Sequence, residues 1–283
     1  MTAALDEGAV SGVPGLKMER RRGAGARMLM IHGVLRCGAD FSPMLPFLDA
    51  DLDVTWFDQR GHGGSGRAAV YGVKDYVGDA LRVVEVLGSE GLTIYGHSLG
   101  AMVAAAVAER VPLAGVILED PPFETMGERI EGTIWQQVFR GFRAALREGA
   151  EEGGLLDRLK RIPVRMSDGS EVPLSVLRDE ASLRWSAECL ARTDIGVLEP
   201  LIEGRWLEGF VWQGLLSRAR CPVLVLQGDE RSGGALCAED LEVAGGTAAQ
   251  VTSIFFDGKG HQLHGTDPER ISGLVNRFVN REL

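Results

Sequence analysis

Between residues 26 and 120 the chain alternates short, unbroken apolar runs with longer stretches whose apolar residues recur every three or four positions. The runs "ARMLMIHG", "LDVTWFDQRG", "LTIYGHS" and "LAGVILEDPP" have the length and β-branched content of strands buried on both faces. The stretches between them, "FSPMLPFLDA", "VKDYVGDALRVVEVLG" and the alanine-rich "AMVAAAVAERV", read as helices. Strands that alternate with helices in this way predict an α/β fold with a mostly parallel sheet and helices on both faces. The pattern returns after residue 218 in "CPVLVLQGDE", a helix near 236–245, the strand of "VTSIFFDGKGH" and a last helix in "DPERISGLVNRFVNREL".

Residues 121–218 differ. They hold four of the five tryptophans (Trp135, Trp185, Trp206 and Trp212), carry helical periodicity in "IEGTIWQQVFRGFRAALREGAEEG" and offer no clear buried strand. The expected organisation is therefore a core of residues 1–120 and 219–283, with a helical cap of 121–218 over the carboxyl edge of the sheet, where open α/β folds place their ligands. Tryptophans of the cap, Trp135 and Trp206 in particular, are expected to line the pocket.

Composition removes several classes of function. A net charge of −10 and the lack of basic stretches interleaved with aromatics argue against nucleic acid. No apolar run approaches a bilayer span, and "MTAALDEGAVSGVPG" lacks the basic and apolar regions of a secretory leader, so no membrane partner and a cytoplasmic location are expected. Cys37, Cys189, Cys221 and Cys237 are scattered, without zinc-site or redox spacing. Neither metal nor organic cofactor is implied, and the oligomeric state is not legible.

The chemistry centres on "YGHSLG", where a buried strand turns straight into a helix through Gly96-His97-Ser98-Leu99-Gly100. Such a strand, tight turn and helix form a nucleophile elbow, which holds a serine hydroxyl clear of the sheet. Small residues are needed on either side because strand and helix approach too closely for a Cβ at Gly96 or Gly100. A serine nucleophile needs a base, and His261 follows the last strand, in the slot that the order serine, acid, histidine requires. His264, three residues on, lies toward the final helix, and His62 and His97 read as turn or packing residues. The oxyanion hole needs two backbone N–H groups. Leu99 offers one at the start of its helix, and Val34, after His32-Gly33, offers the other.

In order along the chain, "MIHG", "FDQRGHGGSG", "YGHSLGAMVA", "VILED", "CPVLVLQGDE" and "GKGHQLH" resemble the motifs of the α/β-hydrolase superfamily, its capped, esterase-like branch being the nearest match, over roughly residues 28–283. The resemblance assigns the serine to Ser98, the histidine to His261 and the second oxyanion donor to Val34. Ser98 stands where dehalogenases and epoxide hydrolases of similar fold carry aspartate, so those activities are not expected.

The acid departs from the family pattern, because the usual position, three residues after Gly228, holds Arg231. Three carboxylates compete: Asp120 and its neighbour Glu119 at the end of the strand after the elbow, and Asp229 beside Gly228. Successive strand residues face opposite ways, so only one of Glu119 and Asp120 can readily aim at His261. The reaction this implies is hydrolysis of a neutral or apolar carboxylic ester or lactone through an acyl-enzyme. The alternatives are a carbon–carbon bond hydrolase with the same serine machinery, a haloperoxidase or perhydrolase side activity, and a ligand-sensing receptor with vestigial hydrolysis.

Overall fold

The computed structural model describes residues 7–9, 13–149 and 152–283; most of the N-terminal stretch read for a leader lies outside them. The chain opens with β1 (Glu7–Ala9), β2 (Met18–Arg21), β3 (Arg27–Ile31) and β4 (Asp53–Phe57). Then follow α1 (Val73–Leu87), β5 (Leu92–His97), α2 (Leu99–Arg110) and β6 (Gly115–Glu119). A long excursion contains α3 (Ile134–Arg147), α4 (Glu152–Arg161), the strands β7 (Pro163–Arg165) and β8 (Glu171–Pro173), α5 (Leu174–Leu177), α6 (Glu180–Leu190) and α7 (Leu198–Ile202). The chain closes with β9 (Val223–Gly228), α8 (Ala238–Val243), β10 (Val251–Phe256), α9 (Leu263–Thr266) and α10 (Pro268–Val279).

Eight strands form one sheet in the order β1-β2-β4-β3-β5-β6-β9-β10. Pairing is parallel from β4 to β10 and antiparallel only where β2 joins β1 and β4. Alternation along the strands divides the interior in two. Leu29, Ile31, Ile94 and Val116 face α1 and α2, whereas Met28, Met30, Tyr95 and Ile117 face α10 and the Phe41–Leu48 segment. β5 and β6 are buried along their whole length, which is why they read as unbroken apolar runs.

Two local readings differ from the structure. Residues 41–50 follow a 3-10 turn over Gly38–Phe41 with further turns instead of forming an α-helix. Pro43 and Pro46 account for this, since neither can donate the backbone hydrogen bond that a helix interior requires. Within 121–218 a two-stranded hairpin accompanies the helices. Its three-residue strands are too short to show alternation, and its only signal is the turn "SDGS", with Gly169 at φ +83°. Among the described residues none of the four cysteines forms a disulfide.

The parallel order brings the loops after β3, β5, β6, β9 and β10 to one edge of the sheet. Those loops carry Val34, Ser98, Asp120, Asp229 and His261 respectively.

Candidate active site

Ser98 sits between β5 and α2 with φ +56° and ψ −116°. A non-glycine residue holds such a conformation only where its surroundings enforce it, at a cost of about 1–3 kcal/mol. Here the enforcement is steric. A Cβ on Gly96 would collide with the Gly100 carbonyl, and one on Gly100 would collide with the Ile31 carbonyl, so this approach of strand to helix requires glycine at both positions. Leu35 (φ +60°) and Asp120 (φ +46°) are also left-handed. The strained non-glycine backbone is thus concentrated at the sheet edge that carries Ser98.

His261 Nδ1 lies 2.6 Å from Asp120 Oδ2. The Asp120 carboxylate is buried and accepts three backbone N–H groups besides, from Gly228 at 3.0 Å, Ala235 at 2.7 Å and Leu236 at 3.2 Å. Every partner is a donor. The carboxylate is therefore fixed in position and holds the imidazole through Nδ1, while His261 Nε2 has no hydrogen-bond partner among the described residues.

Asp229, the second candidate acid, is turned away from the imidazole. Its carboxylate accepts from Arg231 N at 3.0 Å, from the Arg231 guanidinium at 3.0 and 3.1 Å, and from Gly258 N at 3.1 Å. The hydrogen bonds from Arg231 hold its carboxyl down to about 2, against burial. Arg231, which occupies the family's usual acid position, thus folds back on Asp229 and reaches Asp257 as well.

Glu119, the third candidate, points to the opposite face of β6, where it meets His264. His264 N and Nδ1 approach Glu119 Oε1 at 3.0 Å, Nδ1 is 2.8 Å from Oε2, and Nε2 is 3.3 Å from Asp40 Oδ2. The Tyr95 hydroxyl also donates to Glu119, and Trp185 Nε1 donates to Asp40 at 2.6 Å. Burial alone would lower the His264 pKa, but the facing carboxylates of Glu119 and Asp40 override it and raise it to about 10. For the same reason Glu119, which burial would raise, falls to about 2.

Two further histidines, His62, read from sequence as a turn or packing residue, and His32 of the His-Gly pair, brace the loop that follows β3. Burial lowers the pKa of both, to about 3 for His62. His62 Nδ1 donates to the Arg60 carbonyl at 2.8 Å, and its Nε2 accepts the Leu35 amide at 3.0 Å. His32 likewise donates to the Gly33 carbonyl at 2.7 Å and accepts the Gln59 amide at 2.9 Å. With the Leu35 amide engaged, the Val34 and Leu99 N–H groups have no hydrogen-bond acceptor among the described residues. His97, which precedes Ser98 in the elbow, is held neutral by burial and donates from Nε2 to the His261 carbonyl at 3.0 Å. It ties the loop that carries His261 to the elbow that carries Ser98. None of these roles has a local sequence signal, because each depends on loops distant in the chain.

Ser98 and His261 open onto one cavity of about 750 Å³. Residues between β6 and β9, including Trp135, Phe139, Phe142, Leu174 and Arg178, line it as well. The Trp135 ring meets the His261 ring edge-on with centroids 5.4 Å apart. Trp206, expected beside it, does not line the cavity; it is wholly buried, and its carbonyl accepts the Val73 amide at the start of α1. Trp212 is a packing residue too, stacked on Phe123 at 5.1 Å.

Residues 26–230 match the family described as alpha/beta hydrolase fold, and the chain belongs to that family. It is 24% identical over 274 residues to the 2-(acetamidomethylene)succinate hydrolase of Mesorhizobium japonicum, covering 92% of this chain and 90% of that protein. Among solved structures it is similar to an N-formylmaleamic acid deformylase from Pseudomonas putida, with a TM-score of 0.71, 17% identity, and 95% and 100% of the two chains covered. A thermophilic esterase from Thermogutta terrifontis superposes with a TM-score of 0.67 at 19% identity over 99% of both chains. Among the described residues no helix is long and apolar enough to cross a membrane.

Proposed function

We propose that this chain is a serine hydrolase that cleaves a carboxylic ester or lactone through an acyl-enzyme. The observation that carries the reading is the His261 imidazole, anchored through Nδ1 on the buried Asp120 carboxylate, on the cavity onto which the strained Ser98 opens. In the first half-reaction His261 Nε2 takes the Ser98 proton as Oγ bonds to the substrate carbonyl carbon. The Val34 and Leu99 amides receive the negative charge that develops on the carbonyl oxygen. Collapse breaks the bond to the leaving group, which departs with the proton held by His261. In the second half-reaction His261 takes a proton from water, the resulting oxygen nucleophile attacks the acyl carbon, and Ser98 leaves with that proton restored. Residues 121–218 act as the cap, with Trp135 over the imidazole and the side chains of α3 and α5 around the substrate.

The esterase among the similar structures supports the bond class. The names of the other two similar proteins, with an acetamido and an N-formyl group, support an N-acyl bond as the second substrate class for the same serine. Carbon–carbon cleavage of a diketone uses that serine too, and product analysis separates it from ester hydrolysis.

The test is steady-state hydrolysis of short-chain p-nitrophenyl esters together with labelling by a fluorophosphonate probe. The expected result is many turnovers per protein, labelling at Ser98, and loss of both in Ser98→Ala and of turnover in His261→Ala. A single slow turnover accompanied by a conformational change would favour the receptor alternative, and labelling that persists in Ser98→Ala would remove the nucleophile assignment.

A further inference from the structure

The wall of the cavity carries a charge that no other group among the described residues answers. Arg178 lies between α5 and α6, half-buried, with its guanidinium 5.9 Å from the centroid of the Trp135 ring. The Trp135 ring also meets His261, so a single indole separates this cation from the imidazole. Among the described residues no carboxylate lies within ion-pair distance of Arg178, and no group accepts a hydrogen bond from its side chain.

The other arginines on the cavity are engaged. Arg231, at the rim, is bridged to Asp229 and Asp257. Arg36, on the loop beside Val34, donates to Ser186 Oγ at 3.1 Å and, with the Gln262 amide oriented so that its oxygen faces the guanidinium, to that oxygen at 2.9 and 3.0 Å. It also lies 3.8 Å from Asp40 Oδ1. The two acids on the cavity are not partners of Arg178 either: Asp179 accepts Ser182 N at the start of α6, and Glu230 is exposed at the rim.

An unpaired guanidinium in a half-buried position is unfavourable, and a second cation nearby makes it worse. Both effects register in Arg178, whose pKa is lowered to about 10 by burial and then by the charge of Arg36. An anion seated there would relieve both. A carboxylate fits because a guanidinium presents two parallel N–H groups to its two oxygens. The apolar side chains of Phe139, Phe142 and Leu174 on the same cavity suit a short hydrocarbon spacer between that carboxylate and the scissile carbonyl.

We propose that the cavity selects acyl substrates bearing a carboxylate, which is held by Arg178 with Arg36 reinforcing the field. This revises the neutral substrate expected from the aromatic cap, and it rests on Ser98 and His261 marking the reacting end of the cavity. Arg178 is thereby a specificity residue.

The test reads binding in Ser98→Ala, so that it does not depend on turnover. Monomethyl glutarate and dimethyl glutarate, which differ by one carboxylate, are titrated into the protein by calorimetry at fixed ionic strength. The monoanion is expected to bind about tenfold or more tightly than the diester, and adding Arg178→Gln should bring the ratio close to one. Arg178→Lys, which keeps the charge and loses the fork, should give an intermediate ratio. Equal binding of the two compounds to Ser98→Ala, or a ratio untouched by Arg178→Gln in a protein with unchanged circular dichroism, overturns the proposal. Failure of fluorophosphonate labelling in the unmutated protein with the binding ratio intact would instead discard the hydrolase reading and keep the anion site.

Discussion

Two carboxylate–imidazole pairs lie side by side at the carboxyl edge of the sheet, built from adjacent acids and from histidines three residues apart. Asp120 meets His261, and Glu119 meets His264. Their distances are alike, yet their chemistry is opposite. His264 is enclosed, with 1% of its side chain exposed, and both of its ring nitrogens face carboxylates. Both therefore carry protons, and no lone pair is left to accept another. His261 keeps 14% of its side chain exposed on the cavity, and only Nδ1 is engaged by a carboxylate. A carboxylate beside an imidazole is thus insufficient to define a base; the second ring nitrogen must be free and must face substrate. The second pair is an ionic brace that joins β6, α9 and the Gly38–Phe41 turn.

The largest effect that separates the pairs should come from Asp120→Asn. Three backbone donors and His261 converge on this carboxylate, so an amide NH2 group there faces donors and disturbs the tautomer that leaves Nε2 free. The turnover number for p-nitrophenyl esters should fall by about four orders of magnitude, by analogy with serine proteases, with the thermal midpoint changed far less.

The second pair should respond in stability. Glu119→Gln or His264→Gln strands a buried charge and should cost about 3–5 kcal/mol, measured by denaturant unfolding. The pH dependence gives the sign. His264 is raised from 6.5 to about 10, so its contribution is complete below pH 6.5 and is lost as pH rises through about 10. Glu119 is lowered from 4.5 to about 2, so its share holds above pH 4.5 and is lost as pH falls toward 2. The stability gap between the unmutated protein and His264→Gln should therefore be widest between pH 4.5 and 6.5. A gap that widens above pH 7 would contradict the charged form of His264.

The smallest effect is expected for Asp229→Asn. Its carboxylate caps the turn at Glu230–Ser232 and pairs with Arg231, so the loss should be about 1 kcal/mol of stability and under tenfold in turnover. A thousandfold loss of turnover would transfer the acid role to Asp229.

Much of this comparison is legible in the sequence, for reasons specific to each element. Strands β3, β5, β6 and β9 are buried on both faces and show as apolar runs, and the elbow shows because its two glycines answer a local steric demand. His261 follows from its place after the last strand. The choice among Asp120, Glu119 and Asp229 stayed open because strand alternation says that Glu119 and Asp120 diverge but not which of them faces the cavity. That depends on the positive φ of Asp120 and on amides from residues 228, 235 and 236, more than 100 positions away. The partnership of His264 with Asp40 and the unanswered charge of Arg178 were hidden for the same reason. Each involves loops that only the folded sheet and the inserted segment bring together.

The rate at which a fluorophosphonate phosphonylates Ser98, with loss of fluoride, measured under pseudo-first-order conditions on folded Asp120→Asn and Glu119→Gln, tests the division of labour most directly. The account predicts a fall of about a thousandfold or more for Asp120→Asn and a change within about threefold for Glu119→Gln. Equal losses in the two variants, or an unimpaired Asp120→Asn, would contradict it.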